Sequence, residues 1–188
     1  GLILWTFLSG QIIEACTGYT QFEGYIKQIN LPLPLYLLRI WSRNMIILAH
    51  NMLVFIVIWM VFGFTWTPNP LMLILGFALM SLVVFFASIP IAILCPRFRD
   101  ITPILQSLLQ VLYVFTPIMW QPKTLPQQYA YLAEYNPIHH LMELVRAPML
   151  GQTATLDSWL WSFGLLAFFF VAAVVMHNRY RTRVAYWL

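Results

Sequence analysis

Cys95-Pro96-Arg97-Phe98-Arg99-Asp100-Ile101 stands between two long apolar runs, and three of its seven residues are charged. No Asp, Glu, Lys or Arg occurs in residues 44–96 or in residues 101–122. A charged side chain at the centre of a bilayer costs about 2.5–3.5 kcal/mol on insertion scales, so this segment is predicted to lie at a membrane surface. Pro96 favours a turn there because it cannot continue a helical hydrogen-bond ladder. The segment is either a plain polar loop between two spans or a docking elbow for a cytoplasmic partner.

The composition places the chain among integral membrane proteins. Of its 188 residues, 61% are hydrophobic and 9% are charged, whereas a soluble domain has roughly 25% charged residues. Nucleic-acid binding is excluded because the Arg residues sit at predicted span ends and form no continuous basic face. Cys16 and Cys95 are expected to be free thiols near the inner surface, since paired cysteines belong to oxidising compartments.

The apolar runs predict an all-α membrane protein with a single transmembrane domain over residues 1–188. A spanning helix needs about 20 residues, and four runs reach or approach that length: 45–66, 71–94, 102–120 and 158–177. Residues 1–13 are apolar but shorter, and we expect them to be the latter part of a span whose start is missing. Arg39 and Arg43 fall on one helical face, so residues 35–43 are predicted to approach the next span along the membrane surface.

Basic residues set the orientation, because they are enriched in cytoplasmic loops. With the charged elbow inside, eight of the ten Lys and Arg residues lie in the cytoplasm and only Lys123 and Arg146 lie outside. This arrangement puts the C-terminus in the cytoplasm. The eight inner residues are Lys27, Arg39, Arg43, Arg97, Arg99, Arg179, Arg181 and Arg183.

The chain lacks two kinds of site. No GxxxxGK[ST] motif is present, so the chain has no phosphate loop of its own with which to bind ATP. The predicted spans also contain no acidic residue, so they lack the carboxylates that a proton- or ion-coupled relay normally uses.

His139, His140 and Glu143 form an HHxxE pattern that could present metal ligands on one helical face. Metal sites generally need three or four ligands with supporting partners, and no further ligand cluster stands nearby in sequence. We therefore expect a polar helix at the outer surface and no metal. The alternative is a membrane enzyme acting on lipid-linked sugars at these three residues.

Residues 124–150 are long for a loop and too apolar for a disordered segment. Asn136 is suited to cap a helix that begins at Pro137. Glu143 and Arg146 are three residues apart on that helix and are predicted to pair. We expect two short helices that re-enter the outer leaflet and gate the exit, or a surface-lying amphipathic pair with no gating role.

Aromatic side chains are dense, and most are expected to face lipid or to anchor the interfaces. A subset could line a path for a sugar chain, because flat aromatic faces offer apolar contact at a modest entropy cost. The candidates for such a path are Trp59, Tyr113, Phe115 and Trp120.

An ordered set of short motifs resembles the permease subunits of ABC-2 type polysaccharide exporters, which move lipid-linked O-antigen, capsule or teichoic acid chains. The resemblance extends over essentially the whole chain, and the closing motif is most similar to the O-antigen branch. In order, the motifs are Gly1-x-x-x-Trp5, Ile26-Lys27 before Pro32, Arg97-Phe98-Arg99-Asp100, Thr116-Pro117-Ile118, Asn136-Pro137, Arg146 and a basic tail closing Tyr186-Trp187.

The resemblance implies a six-span permease of the bacterial inner membrane, of which this chain lacks the amphipathic N-terminal helix and the first span. It implies a homodimer working with a separate ATP-binding subunit, which carries ATP and Mg, while this chain needs no cofactor and is not an enzyme. Lipid-linked polysaccharide is the implied substrate, and membrane lipids surround the chain. A scaffold protein is a third possibility.

Two segments are predicted to contact the ATPase. Residues 21–27 should form a short cytoplasmic helix carrying Glu23 and Lys27, as in the coupling helix of the family. The elbow residues Arg97, Arg99 and Asp100 form the second segment. Asp100 should also cap the next helix, because it precedes Thr102 and Pro103 at the start of that helix.

Overall fold

The computed structural model describes residues 1–29, 31–62, 69–118 and 134–188, without the side chains of Trp59 and Phe62. Within these ranges the chain forms helices and no strand. A 3-10 turn at Thr20–Phe22 follows the first helix. The α-helices are α1 (Leu2–Gly18), α2 (Glu23–Gln28), α3 (Leu33–Phe62), α4 (Pro70–Leu94), α5 (Ile101–Phe115), α6 (Pro137–Met149), α7 (Leu156–Tyr180) and α8 (Val184–Trp187).

Three of these helices, α3, α4 and α7, are long and apolar enough to cross a membrane. The all-α membrane architecture is therefore confirmed, and the spans predicted at 71–94 and 158–177 correspond to α4 and α7. The span predicted at 102–120 appears as α5, an apolar helix of 15 residues. Its expected end at residue 120 lies outside the described residues.

One predicted boundary is wrong. Residues 35–43 do not form a separate surface helix, because α3 runs without interruption from Leu33 to Phe62. At 1.5 Å per residue these 30 residues extend about 45 Å, longer than the hydrocarbon core. Tyr36, Leu37 and Ile40 are buried against neighbouring helices, and this packing holds the amphipathic first turns of α3 in line with the span.

α4 is the central helix of the bundle. It packs against α1, α3, α6 and α7, and half of its most apolar window is buried, compared with 11% for α7. A helix that is apolar on all sides must be covered by other helices or by lipid, which explains why the most hydrophobic span takes the middle position. Pro90 is accommodated inside this buried helix.

The charged elbow is a tight turn between α4 and α5, as predicted. The amide N–H groups of Arg97 and Phe98 both donate to the carbonyl of Leu94. Asp100 is the residue before α5, but its side chain makes no capping hydrogen bond, so the predicted cap is wrong. Its backbone is itself helical, at φ −72° and ψ −15°, whereas a capping residue normally has the extended backbone that turns its side chain back to the helix N–H groups.

The hydrophobic core has two parts, at opposite ends of α4. The part near the elbow includes Tyr19, Leu37, Ile93 and Val184, and brings together α1, α3, α4, α7 and α8. The other part surrounds α6. We call the first the basic end, because it carries the 3-10 turn, α2, the elbow and the tail after α7, and the second the α6 end.

Candidate functional site

The exposed side of α1 is polar although the helix belongs to the membrane domain. α1 lies between α3 and α5 and also packs on α4. Its buried side carries large apolar residues such as Trp5 and Leu8, whereas Thr6 and Thr17 are exposed and Ser9 and Gly10 are partly exposed. The hydroxyl groups of Thr6, Ser9 and Thr17 donate to backbone carbonyls of α1 itself, and their oxygens can still accept hydrogen bonds from water, a polar substrate or another protein surface.

A groove of about 390 Å³ runs between α1 and α5. Uncharged polar and aromatic side chains predominate in its wall, and the described lining includes no carboxylate and no cation. The Trp5 and Tyr113 rings lie 5.7 Å apart between their centroids at one place in this wall. The lining residues are Trp5, Ser9, Ile13, Gln106, Leu109, Gln110 and Tyr113.

α5 presents three different faces. Leu109 is buried, and with Leu112 it packs into the core that α1 shares. Gln106, Ser107 and Gln110 are exposed on a second face. The third face is apolar and exposed, and consists of Ile104, Leu108, Val111 and Phe115.

On its other flank α1 forms a second groove, with α3, of about 160 Å³. Thr6 and Gly10 of α1 line it, together with Glu14, Asn44 and Asn51. The polar side of α1 is thus continuous with the α1–α5 groove on one flank and, on the other, with a groove that is also lined by Ile3, Phe7, Ile47 and Leu48. We call Thr6, Ser9, Gly10, Asn51, Gln106 and Gln110 the polar surface.

A buried hydrogen-bond network joins the helices behind this surface. The Asn44 amide nitrogen donates to Gln11 Oε1 and to Glu14 Oε2, each at 2.8 Å. Gln11 is fully buried and donates in turn to Ser88 Oγ of α4 at 3.3 Å. Arg43 completes the network with an ion pair to Glu14 at 2.6 Å. The network fixes α1, α3 and α4 relative to one another, because each buried polar group finds its partner on a different helix.

The residues predicted to contact an ATPase lie together at the basic end. Residues 21–27 are helical, as predicted, divided between the 3-10 turn and α2. The partly exposed Glu23 and the exposed Lys27 form an ion pair one helical turn apart. Arg97 stacks its guanidinium on Trp187, 5.1 Å from the ring centroid, so the elbow contacts the C-terminal tail.

α6 occupies the opposite end and is held by polar bonds to its neighbours. Asn136 accepts from the N–H groups of Ile138 and His139, as predicted for a cap, and donates to Thr116 Oγ1 at 3.0 Å. The Pro148 carbonyl accepts from the N–H of Asn69 at the start of α4. Of the predicted helical pair, the second helix is thus confirmed, and residues 124–133 lie outside the described residues.

The predicted pairing of Glu143 with Arg146 is wrong. Arg146 Nη1 instead donates to the carbonyl oxygen of Pro117 at 3.0 Å. Within the described ranges the two ion pairs are Lys27–Glu23 and Arg43–Glu14. The carbonyl at the end of α5 lies within reach of the guanidinium, so Arg146 ties α6 to the segment that follows α5.

The HHxxE pattern does not form a metal site. Both ring nitrogens of His140 are already engaged, Nδ1 with Ser158 Oγ at 3.0 Å and Nε2 with the Glu134 carbonyl at 2.7 Å. Burial, and then the electrostatic effect of the neighbouring His140 and Arg146 side chains, lower the pKa of His139 to about 4. Among the described residues no three His, Cys, Asp or Glu side chains converge on a possible metal position.

The four predicted path aromatics have different positions. Tyr113 lines the α1–α5 groove. Phe115 is exposed on the apolar face of α5. The Trp59 side chain and Trp120 lie outside what the structure describes.

Sequence reasoning missed Ser9, Gln106 and Gln110. They carry no formal charge, so a search for charged interruptions in apolar runs passes over them. The spacing of Gln106, Ser107 and Gln110, which returns after one helical turn, is the signal that could have identified a polar face.

Comparison with known proteins gives one family. The sequence profile described as "ABC-2 type transporter" matches residues 1–150. None of the curated proteins matches the sequence.

Proposed function

The chain belongs to the ABC-2 type transporter family, and on that premise we propose that it is the permease subunit of an exporter of lipid-linked polysaccharide. The family match supports a role as the membrane component of a transporter. The polar surface of α1 and α5 supports the assignment of a polysaccharide as the cargo. A separate ATP-binding subunit supplies the ATP and Mg, and no bond of the substrate is broken on this chain.

The uncharged character of the α1–α5 groove is the observation that carries the proposal. A sugar chain presents hydroxyl groups that donate and accept hydrogen bonds, and the Gln106 and Gln110 amides do both. The apolar faces of sugar rings pack on aromatic rings such as Trp5 and Tyr113. An ion or a strongly charged solute would need compensating charge, and the described wall of the groove offers none.

A second copy of the chain closes the path. α5 packs mainly on α1, so its polar face stays open in one copy. Exposed amides in a membrane would be left without hydrogen-bond partners. Two copies facing each other would enclose the polar surface of each, and the exposed apolar face of α5 would provide contact area beside it.

Export in membrane vesicles containing the permease and its ATPase tests this path. The double variant Gln106→Leu/Gln110→Leu should abolish or strongly reduce ATP-driven export while the complex still assembles. The double variant Gln106→Ser/Gln110→Ser keeps polarity and should retain export. Ile104→Leu/Leu108→Ile, on the apolar face, is the matched control. Unchanged export in the leucine variant would contradict the proposal.

The ATPase contacts the basic end through Glu23 and Lys27 and through Arg97, Arg99 and Asp100. All five residues lie at this end, and Glu23 is the only one that is not largely exposed. The tight connection of α1 to the 3-10 turn supports the transmission of movement to the polar surface, since Tyr19 between them is fully buried. Single cysteines at positions 23 and 27 should crosslink to the ATPase, and labelling of these positions from outside the cell would exclude the contact.

α6 gates the outer exit. Its gating residues are Asn136, Pro137, Glu143 and Arg146. Its buried apolar side packs on α4 and α7, with His140 also bonded to Ser158 of α7, whereas only two hydrogen bonds in the described chain, to Thr116 and Pro117, join it to the segment after α5. We therefore expect that separating α6 from the segment after α5 requires less free energy than separating it from α4 and α7. A disulfide that pins α6 to its symmetry mate should block export reversibly and leave assembly intact, whereas export through the crosslinked protein would refute the gate.

The proposed location is the bacterial inner membrane with the C-terminus in the cytoplasm, and the proposed cargo is O-antigen. The basic tail supports the orientation, because positive residues favour the cytoplasmic side. Cysteine labelling of the tail in intact cells and in opened vesicles tests the orientation. Exchange of the permease between strains that make O-antigen and strains that make teichoic acid tests the cargo.

A further inference from the structure

A pocket of about 560 Å³ lies at the basic end, between the connection from α2 to α3 and the tail after α7. One part of its wall is polar and comes from His177, Arg181 and Thr182. The rest is apolar and consists of Ile26, Ile29, Leu31, Pro32, Leu33 and Ala185. We propose that this pocket binds the phosphate headgroup and adjoining hydrocarbon of an anionic membrane lipid.

The charge balance of the basic end favours an anion. Eight Lys and Arg side chains lie there with three acidic side chains, Glu14, Glu23 and Asp100, an excess of five positively charged side chains. Two of those carboxylates are already paired, with Arg43 and with Lys27. Within the described chain no carboxylate pairs with Arg181, so its guanidinium keeps its capacity for a phosphate.

The other polar group of the wall that can complete the coordination is Thr182. The Thr182 hydroxyl can donate one hydrogen bond to a phosphate oxygen. His177 Nδ1 is buried and has no hydrogen-bond partner among the described residues. Because this nitrogen is buried and not open to the pocket, Arg181 and Thr182 are the groups of the wall that would contact the phosphate.

The apolar part of the wall distinguishes a lipid from a free anion. Ile29 and Leu31 are 47% and 42% exposed at the rim, and a soluble phosphate would leave them in water. The neighbouring Tyr25 and Tyr186 are also exposed, as is typical of aromatic side chains at a membrane interface. Basic pockets at the cytoplasmic ends of transmembrane helices suit anionic headgroups.

A lipid in this pocket would add contacts between two parts of the basic end that already share a hydrophobic core. The apolar wall belongs mainly to the end of α2 and the start of α3, and the polar wall to the end of α7 and the tail. The same tail contacts the elbow through Trp187 and Arg97. Occupation of the pocket therefore stabilises the arrangement of the whole basic end.

Lipid binding to the delipidated full-length permease, followed by native mass spectrometry, tests the inference. Phosphatidylglycerol should bind in preference to phosphatidylcholine. Arg181→Gln should weaken phosphatidylglycerol binding roughly tenfold, the scale of one hydrogen bond to a charged group. Arg183→Gln makes the same charge change outside the pocket and is the matched control, with binding close to that of the unchanged protein.

A second variant separates the two parts of the wall. Ile29→Gln changes an exposed side chain, so the fold should persist while phosphatidylglycerol binding weakens. Glycerol phosphate should compete poorly, because it lacks the hydrocarbon. If glycerol phosphate competes as well as the lipid and Ile29→Gln has no effect, the ligand is a free phosphate anion and the lipid assignment fails.

Two other outcomes would also overturn the inference. Equal weakening by Arg181→Gln and Arg183→Gln would show attraction by the summed charge of the tail and not by a site. Loss of the ATPase from the purified Arg181→Gln complex, with lipid binding unchanged, would show that the pocket receives a carboxylate of a protein partner.

Discussion

Gly76 of α4 lies directly against the carbonyl oxygen of Leu144 of α6. A Cβ built on Gly76 would overlap that oxygen and the Leu144 carbonyl carbon. The absence of a side chain at this one position allows the backbones of the two helices to approach. The close approach seats α6 on the central helix, and Leu144 and Val145 are fully buried there.

Gly76→Ala should therefore lower stability by roughly 1–3 kcal/mol, the usual cost of overpacking, because a backbone carbonyl cannot move aside as a flexible side chain can. Gly164→Ala in α7 is the control, since nothing lies within 4 Å of its Cβ. That substitution should leave stability unchanged or raise it by up to about 1 kcal/mol through helix propensity. Thermal unfolding of the detergent-solubilised variants measures both, and equal stability of the two would contradict the close approach.

Asn44→Leu should destabilise the protein by about 1–3 kcal/mol, the cost of leaving a buried acceptor unsatisfied. The substitution removes the donor to both Gln11 and Glu14. Asn51→Leu lies on the same helix, and the structure shows no hydrogen bond from its side chain in the described chain, so it should have a smaller effect. Denaturation of the two variants side by side checks the difference, and an equal loss would mean that the network adds nothing specific.

Asn136→Ala and Asp100→Ala should differ although both residues precede a helix. Asn136 caps α6 through two N–H groups, so its loss should cost about 0.5–2 kcal/mol. Asp100 makes no capping bond, and its substitution should leave stability and protein yield nearly unchanged. Thermal unfolding and membrane yield distinguish them, and a comparable loss for Asp100→Ala would restore the capping role that the sequence predicts.

Stability should depend on pH through His139, which lies outside the three spans. Its pKa in the folded protein is about 4, below the ordinary value of about 6.5. Below pH 6.5 the unfolded chain therefore binds a proton that the folded chain resists, and stability falls as the pH is lowered from about 6.5 towards 4. Above pH 6.5 both states are neutral at this residue, and it contributes no slope.

His139→Gln should flatten that part of the curve of melting temperature against pH. Melting temperatures at several pH values between 7.5 and 4.5 provide the comparison. An unchanged slope in His139→Gln would assign the acid sensitivity to other groups.

Much of the candidate site lay beyond what the sequence could predict. The Asn136 cap and the helical segment at residues 21–27 depend on neighbours in sequence, and both are confirmed. The pairing of Glu143 with Arg146 depended on sequence spacing alone and is wrong, because Arg146 bonds to the end of α5. A residue one turn away on a helix is only one possible partner, and the nearest acceptor in space belongs to a distant segment.

The sequence by itself determined the membrane class, the spans α4 and α7 and the elbow between α4 and α5. These features follow from the large free-energy cost of placing a charged side chain in hydrocarbon, which is similar at every position in the chain. The tertiary structure alone decided that α4 is central, that Gln11, Asn44 and Ser88 meet, and that the polar faces of α1 and α5 join. These relationships join residues 33 to about 100 positions apart, and they depend on which face of each helix packs inward. The local sequence pattern gives each helix a polar and an apolar side, but which helix packs against each side is decided only by the tertiary structure.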